Sequence, residues 1–364
     1  MTPRERFQRV MHHEPIDRIP MFYPYETVTQ QAERLWVQQG LPLGMDPYTY
    51  IGFDPSELIP LNTEPLPNFV PTTIDSDEEW VTHIDPWGFT VRTSKQNRLT
   101  PTIYYYLKGS VETREDWEQM KARYDPRDIR RYGSAWSPEL LEHYRTAEHP
   151  VGIMMHWGPG RGPKNGYMLG LEAFLDKLTG DRAFVHEMFE FWMHFTIDLL
   201  TPVVTQTKVD YVWFNEDGLA YKNSTLISPE MYREFWTPYL GKVIDFLRAN
   251  GVDLVGFYTS GNIQPLIPTF LDTGFNMFGP QEAAADVDPV KLRRQYGKDL
   301  LQMGGFSRQS LMDGRAAIDR EFQDKIPWLM EQGGTVPMVD DMILPDISFD
   351  SYVYYHNKIR EYRW

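Results

Sequence analysis

From residue 150 onward, short apolar runs alternate with segments of about 12–20 residues that have helical spacing. This alternation is typical of βα units, in which helices cover the faces of a parallel sheet. The apolar runs assigned to strands lie at 151–155, 210–214, 253–257, 275–278, 300–303 and 335–339. A further strand near 19–23 brings the total to seven, and an eighth is either irregular or hidden within 45–110. The pattern therefore predicts an α/β fold, a (β/α)8 TIM-type barrel.

Residues 45–110 differ from the rest of the chain because proline is frequent and the apolar periods are short. Segments 80–91 and 102–108 alternate as strands do, and Asp85-Pro86-Trp87-Gly88 has turn composition. We expect an N-terminal excursion of antiparallel strands that caps one end of the barrel. A barrel with such an insertion can span more than 300 residues, so 1–364 is expected to be one domain.

Helix-start signals occur near the N-terminus and again past the middle of the chain. Thr2-Pro3-Arg4-Glu5 predicts a capping box with proline in the first turn, followed by a short amphipathic helix. Ser228-Pro229-Glu230 predicts a second helix start, and Asn250-Gly251 an end just before a strand.

Charge and composition exclude several functions. The net charge of -15 disfavours nucleic acid and anionic membrane surfaces as partners. The absence of cysteine excludes disulfides, thiolate zinc sites and cysteine nucleophiles. No apolar run of about 18 residues could span a bilayer, and the N-terminus lacks an apolar signal segment. We therefore expect a cytoplasmic protein with a small-molecule substrate.

Polar residues follow the strands, and in a barrel such positions meet at one face. Carboxylates are frequent among them, and carboxylates that share a desolvated rim can act as acids and bases. We assign catalysis to Glu216, Asp341, His156 and Tyr258. The expected substrate-binding residues are Tyr23, Tyr25, Trp157, Asn215, Asp217, Ser260, Gln281, Glu282 and Asp340.

Two alternatives stay open for these residues. Acids after strands can simply cap helices, and a histidine there can be a core residue bonded to backbone. A divalent metal could also bind an oxygen- and nitrogen-rich site. Its candidate ligands are His156, Glu216, Asp217, Glu282 and Asp341.

Several short motifs, in this order and spacing, resemble the uroporphyrinogen decarboxylase superfamily along nearly the whole chain. The superfamily includes the decarboxylase of haem biosynthesis and methyltransferases that use a corrinoid protein and coenzyme M. The resemblance implies a (β/α)8 barrel, and it alone suggests a homodimer. The motifs are Thr-Pro-Arg-Glu-Arg-Phe at 2–7, Asp-Arg-Ile-Pro at 17–20, Asp-Pro-Trp-Gly at 85–88, Arg-Glu-Asp-Trp at 114–117, Asn-Glu-Asp at 215–217, Ile-Ser-Pro-Glu at 227–230, Ser-Gly-Asn-Ile at 260–263, Gly-Gly-Phe at 304–306, Gly-Gly at 333–334 and Asp-Asp at 340–341.

Two departures from that superfamily matter for function. The decarboxylases carry an arginine after the first strand to hold substrate propionates, but 21–26 here reads Met-Phe-Tyr-Pro-Tyr-Glu. Glu26 would stand where a polyanionic porphyrinogen needs cations. The coenzyme M-type enzymes carry His-x-Cys-Gly, where this chain has Tyr258-Thr259-Ser260-Gly261. A zinc–thiolate site is therefore excluded.

The resemblance and these departures together imply a corrinoid-linked methyltransferase, or demethylase, of a small methylated substrate such as a methoxylated compound. Glu216 or Asp341 would protonate the leaving oxygen, and the methyl group would pass to the Co(I) of a separate corrinoid protein. Tyr258, Asn215 and Gln281 would orient the substrate. One alternative is a decarboxylase of a smaller acid, with Arg161, Lys164 and Arg308 as its cations. Another is a non-catalytic binding relative.

Overall fold

A computed structural model describes residues 1–22, 24, 27–95, 105–133, 136–157 and 166–363. The strands fall into two sheets, one parallel and one antiparallel. In chain order they are β1 (Glu57–Leu58), β2 (Thr72–Ser76), β3 (Trp80–Ile84), β4 (Thr90–Ser94), β5 (Tyr105–Lys108), β6 (Val151–Met155), β7 (Tyr211–Asn215), β8 (Val255–Tyr258), β9 (Met277–Gly279), β10 (Leu301–Phe306) and β11 (Thr335–Val339).

Helices separate consecutive strands of the parallel sheet, which confirms the βα pattern. They are α1 (Pro3–Met11), α2 (Gln30–Gln38), α3 (Pro47–Ile51), α4 (Arg114–Lys121), α5 (Pro138–Thr146), α6 (Leu171–Gly180), α7 (Arg182–Gln206), α8 (Pro229–Phe235), α9 (Thr237–Ala249), α10 (Ile267–Thr273), α11 (Pro289–Tyr296), α12 (Arg308–Asp313), α13 (Arg315–Gln332) and α14 (Phe349–Glu361). The capping box is confirmed, since Thr2 and Glu5 each accept the other's backbone N–H. The helix that begins after Ser228 is divided at Trp236, where Pro238 of α9 cannot donate a backbone hydrogen bond.

Seven strands form the parallel sheet, in the order β1-β6-β7-β8-β9-β10-β11. Six of them lie at the predicted apolar runs, and the bounds of β6 and β11 agree with the prediction. Such runs carry no polar alternation because helices or the sheet's own interior cover both faces of a parallel strand.

The parallel sheet is curled, and its concave face encloses an apolar cluster. Tyr211 and Trp213 of β7 share this cluster with Met303 of β10 and Met338 of β11. Phe7, Val10 and Met11 of α1 join it. The other face of β7 and β8 packs into the layer that contains the helices, through Val212, Phe214, Val255 and Phe257.

Glycine is required on the concave face of β8. A Cβ on Gly256 would lie 2.3 Å from the ring of Trp213 on the neighbouring strand. The missing side chain makes room for the indole, so large and small residues alternate across the inner face. Tyr258, two residues further along β8, packs against the same cluster.

The predicted strand at 19–23 is not a strand in the described part of that segment, which ends at Phe22 and resumes at Pro24. Pro20 and Pro24 have no N–H for a ladder, and the Met21 N–H donates to the Asp54 side chain. The Met21 carbonyl accepts from the Asp54 N–H, and Val28 forms a single parallel bridge with Ile343. Within the described residues the ladder therefore ends at β1 and β11, as a curled sheet rather than a closed eight-stranded barrel.

The antiparallel sheet contains β2, β3, β4 and β5 in that order, which confirms the strand excursion within 45–110. The predicted turn at 85–88 is confirmed, and it joins β3 to β4 within 80–91. The Asp85 carboxylate holds it by accepting the N–H groups of Trp87 and Phe89. The expected strand at 102–108 is described only from Tyr105. Just after β5, the Val111 N–H donates to the Met168 carbonyl at 3.1 Å, so this sheet adjoins the chain that follows β6.

In the part of the chain that the structure describes, every helix is too short or too polar to cross a bilayer.

A buried ion pair joins α1 to the parallel sheet. The Arg4 guanidinium lies 2.9 Å from the Asp210 carboxylate, whose other oxygen accepts the Val151 N–H at 2.8 Å. Arg4 also donates to the carbonyls of Ala147 and Lys208. Both side chains are buried, so removing one charge leaves the other without its counter-charge in the core.

We therefore expect Asp210→Asn to lower the free energy of unfolding by about 3 kcal/mol, measured by urea denaturation. The matched control is Glu14→Gln, which removes the exposed partner of Arg9 at the end of the same helix. That change should cost less than about 1 kcal/mol. Equal losses in the two variants would contradict the proposed importance of the buried pair.

Candidate functional site

Four of the expected site residues meet at the carboxyl ends of the parallel strands. Tyr258 ends β8, and the carboxylates of Asp217, Asp341 and Glu282 come close enough to influence its hydroxyl. Burial first, and then these negative charges, raise the pKa of the Tyr258 hydroxyl. The phenol is therefore neutral at physiological pH and can donate a hydrogen bond. We call this group of residues, with Ser260, the mouth.

Backbone N–H groups hold two of the mouth carboxylates in place. The Ser260 N–H donates to Asp217 at 3.2 Å, and the Gly261 N–H donates to Glu282 at 2.8 Å. Gly261 has a φ of +84°, and a Cβ there would lie 2.8 Å from the Tyr221 carbonyl oxygen. Only glycine fits this turn without strain, so the loop after β8 presents its N–H groups to acids from two neighbouring loops.

Asp340 joins the loops that follow β9 and β10. Its two carboxylate oxygens accept the N–H groups of Ala283 and Arg308, each at 2.8 Å. Burial raises the pKa of Asp340 to about 6, against the hydrogen bonds from those N–H groups, which lower it. Asp340 is therefore a buried structural acid, while Asp341 is exposed beside it.

A cleft of about 360 Å³ opens between these loops. It is lined by the exposed or half-buried parts of Glu282, Ala283, Ala284, Ser307, Arg308, Gln309, Met312, Asp340 and Asp341. The Arg308 guanidinium pairs with Asp346, but its Nε is buried without a hydrogen-bond partner among the described residues. The cleft therefore combines several carboxylates with one cation.

Gln281 lies fully buried behind this cleft. Its side-chain nitrogen donates to the Phe278 carbonyl at 3.0 Å, and its side-chain oxygen has no partner within the described residues. The backbone of Gln281 has a φ of +62°, in the left-handed region. The side chain folds back on its own strand, and its oxygen lies next to Gly305 of β10, where a Cβ would be 2.9 Å away.

His156 and Asn215 lie at the ends of neighbouring strands. The His156 Nδ1 is 2.9 Å from the Asn215 backbone oxygen, and both residues are half-buried. The Asn215 side-chain oxygen accepts the Asp217 N–H at 3.3 Å. His156 follows Met154, a concave-face residue, by two positions, so the strand period of two directs it toward the mouth.

Glu216 is placed differently from the expectation that it shares the mouth with Asp341. It is fully buried, and its oxygens accept the Trp157 N–H at 2.8 Å and the Tyr167 O–H at 2.6 Å. The alternation along β7 points Glu216 to the same side as Phe214, away from Tyr211 and the concave face. A metal held jointly by Glu216, Glu282 and Asp341 does not fit this arrangement.

Aromatic residues surround the Glu216 carboxyl. The Tyr167 oxygen, which donates to Glu216, accepts the Trp236 N–H at 2.8 Å. Burial raises the pKa of Glu216 well above its ordinary value, against the hydrogen bonds from Tyr167 and Trp157, which lower it. Trp157 is also fully buried, so both Glu216 and Trp157 belong to this packed layer.

Tyr167 and Trp236 were not among the expected site residues. No local pattern indicates them, because the sequence before Tyr167 is rich in glycine and has no apolar periodicity, and its contact with Glu216 crosses 49 residues of sequence. Four expected contributors lie outside the described residues. They are Tyr23 and Tyr25 of the substrate-binding set and Arg161 and Lys164 of the decarboxylase alternative.

Comparisons with known proteins agree with this architecture. A family model described as "Uroporphyrinogen decarboxylase (URO-D)" matches residues 165–350, about half of the chain. No curated protein sequence matches.

Among solved structures, 24 chains match. One is a methyltransferase from Methanosarcina mazei, with a TM-score of 0.63 and 14% sequence identity. The match covers 99% of this chain and 98% of that one, and at this identity it shows a shared fold. The family model, the curled parallel sheet and the motif order together establish that the chain belongs to the uroporphyrinogen decarboxylase family.

Proposed function

We propose that this protein is a corrinoid-linked methyltransferase that demethylates a small methylated, for example methoxylated, compound at the mouth. The observation that carries the proposal is the neutral Tyr258 hydroxyl at the end of β8, with the charges of Asp217, Glu282 and Asp341 acting on it. The fold shared with a methyltransferase supports it.

Demethylation of a methoxylated compound breaks the bond between the methyl carbon and the oxygen. The electron pair of that bond stays on the oxygen, which then needs a proton. Asp341, exposed at the mouth, is the proposed acid: its carboxylate takes a proton from solvent water and passes it to that oxygen. The Tyr258 hydroxyl donates a hydrogen bond to the same oxygen and holds the substrate in position.

Glu216, the other candidate acid, takes a positioning role in this proposal. Both of its oxygens already accept hydrogen bonds, from Tyr167 and from the Trp157 backbone. It therefore holds the chain on both sides of 158–165 against the layer outside the sheet. A substrate at the concave face lies on the opposite side of β7 from this carboxyl.

The rim around the mouth fits a partner protein that carries a corrinoid. Tyr221, Met312 and Met342 are exposed large apolar residues next to the mouth loops. Met312 lines the cleft, Met342 donates its N–H to Asp341, and the Tyr221 carbonyl accepts the Asn262 N–H. Exposed apolar groups within a polar rim are typical of protein-binding surfaces. A reduced corrinoid docked there would supply the nucleophile that accepts the methyl group.

Arg308 favours a second candidate, decarboxylation of a small acid. It is the cation of the cleft, and a cation can neutralise the charge that develops when carbon dioxide leaves. The carboxylates that surround it disfavour a substrate with many negative charges.

The deciding experiment incubates the protein with reduced cobalamin and a panel of isotope-labelled methoxylated and methylated compounds. We expect label to move to cobalamin from at least one compound. Release of carbon dioxide from candidate acids, without label transfer from any methylated compound, would establish the second candidate instead. Absence of both reactions would favour a binding protein without catalysis.

Replacing Tyr258 by phenylalanine removes the hydroxyl and keeps the ring. We expect methyl transfer by Tyr258→Phe to fall about 10- to 100-fold in kcat/KM, because the leaving oxygen loses a hydrogen bond in the transition state. The control is Tyr50→Phe, since Tyr50 is exposed and belongs to α3. Unchanged kcat/KM in Tyr258→Phe would remove this tyrosine from the mechanism.

The proton donor is tested by Asp341→Asn, which keeps the size of the side chain. We expect kcat for methyl transfer to fall about 100-fold or more, because an amide cannot protonate the oxygen. Asp272→Asn is the control, since Asp272 is an exposed acid on α10. If the reaction of Asp341→Asn equals that of the control, another group supplies the proton.

Asp340 gives a pH-dependent stability with a definite sign. Its pKa is raised from 3.8 to about 6 by burial, so between about pH 4 and pH 6 the folded protein holds a proton that the unfolded chain has released. The stabilisation from this group is complete below about pH 4 and is lost as the pH rises through about 6. Wild type should lose about 2 kcal/mol more unfolding free energy than Asp340→Asn between pH 4 and pH 7.

Urea denaturation at these two pH values measures the difference. The control is Asp313→Asn, which changes an exposed acid of α12 and should behave as wild type does. The raised pKa of Asp340 would be wrong if wild type and Asp340→Asn lost the same unfolding free energy between the two pH values.

A further inference from the structure

The end of the parallel sheet opposite the mouth carries a cluster of two histidines and one glutamate. Glu57 is the first residue of β1, and its register partner Val151 is the first residue of β6. The His143 Nε2 lies 2.7 Å and the His149 Nε2 3.3 Å from the same Glu57 carboxylate oxygen. One ligand atom from each of the three residues lies within 4.8 Å of the others.

The backbone brings these three side chains together from three different elements. The Glu57 N–H donates to the Pro150 carbonyl at 3.0 Å, which fixes Glu57 beside the residue that follows His149. His143 belongs to the last turn of α5. The positions of the three side chains are therefore set by a strand pair and a helix end.

The loop between the two histidines is itself held in place. Arg4, which pairs with Asp210, donates its side chain to the Ala147 carbonyl at 2.8 Å and its backbone N–H to the Glu148 carbonyl at 2.9 Å. His149 follows these residues directly. The cluster therefore has a fixed backbone, while its side chains are partly exposed and can adjust.

Two imidazoles and one carboxylate are ligands that suit zinc and its neighbours in the first transition series. Ligand atoms around a tetrahedral zinc ion lie about 3.4 Å apart, given bonds of about 2.1 Å. The His149 distance to Glu57 is already close to this value, whereas the His143 distance of 2.7 Å must lengthen toward it through rotation of the partly exposed side chains. The net charge of -15 further favours a cation.

We propose that Glu57, His143 and His149 form a binding site for one divalent transition-metal ion of the zinc class. The ion takes one carboxylate oxygen and two imidazole nitrogens, and a water molecule completes the tetrahedron on the exposed side. Binding joins the end of α5 to the edge strand β1 and to the residues that lead into β6. This site does not depend on the proposed methyl transfer.

The test titrates Zn²⁺ into the metal-stripped full-length protein by calorimetry. We expect one ion per chain, and at least 10-fold weaker binding in His143→Gln and in His149→Gln, which remove a ligand but keep a hydrogen-bonding side chain. The matched control is His12→Gln, because His12 contacts Asp253 at 2.7 Å in an exposed pair. Its binding should equal that of wild type.

Two further measurements separate a metal site from simple histidine–carboxylate hydrogen bonds. Zn²⁺ should raise the thermal midpoint of wild type but not of the His143→Gln/His149→Gln double variant, because only a ligand of the folded state stabilises it. Mg²⁺ at the same concentration should have no such effect, since it prefers oxygen ligands in octahedral geometry. Circular dichroism of the double variant verifies that it is folded.

The proposal is overturned if wild type binds no stoichiometric Zn²⁺. It is equally overturned if the double variant retains wild-type affinity, since the ion would then lie elsewhere. Loss of binding in His12→Gln to the same degree as in His143→Gln would also contradict this site.

Discussion

The buried guanidinium of Arg4 positions the elements at the amino ends of the parallel strands. A buried guanidinium must donate hydrogen bonds to offset the loss of its hydration. The Arg4 side chain donates to Asp210 and to the carbonyls of residues 147 and 208. These groups lie at the start of β6 and β7, so the pairing places α1 across the amino ends of the strands. The apolar face of α1 then packs against the concave cluster at the amino ends of the strands. The opposite end, where the strands finish, remains available for chemistry.

At that opposite end, successive side chains after β7 point to opposite faces of the sheet, so only some of the acids reach the mouth. Glu216 and Asp217 are neighbours in sequence, yet one faces Tyr167 in the aromatic layer and the other receives the Ser260 N–H at the mouth. A sequence shows that both follow a buried strand but does not show which direction each takes. The structure settles the direction of the Glu216 side chain. Along β7, Tyr211 and Trp213 face the concave cluster, whereas Val212 and Phe214 face the helix layer, and Glu216 continues the second set.

Much of the fold was predictable because the apolar runs of buried parallel strands are unbroken and their helices begin with clear caps. The segment at 19–23 has the same apolar character, but Pro20 removes one ladder donor, and Asp54 accepts the Met21 N–H. For the site, Asp217, Glu282 and Asp341 were expected together, and their charges all act on the Tyr258 hydroxyl. The partners Tyr167 and Trp236 were not predictable, since contacts across 49 and 69 residues leave no periodic trace.

The carboxylates of Glu282 and Asp340 link successive loops through backbone N–H groups. The Glu282 carboxylate accepts the Gly261 N–H. The Asp340 carboxylate accepts the N–H groups of Ala283, which follows Glu282, and of Arg308. The loops after β8, β9, β10 and β11 are thus coupled mechanically. A single loop taken from a relative to change substrate preference would lack the acid or glycine on the neighbouring loop that its own residues need. In protein engineering these four loops should therefore be exchanged together.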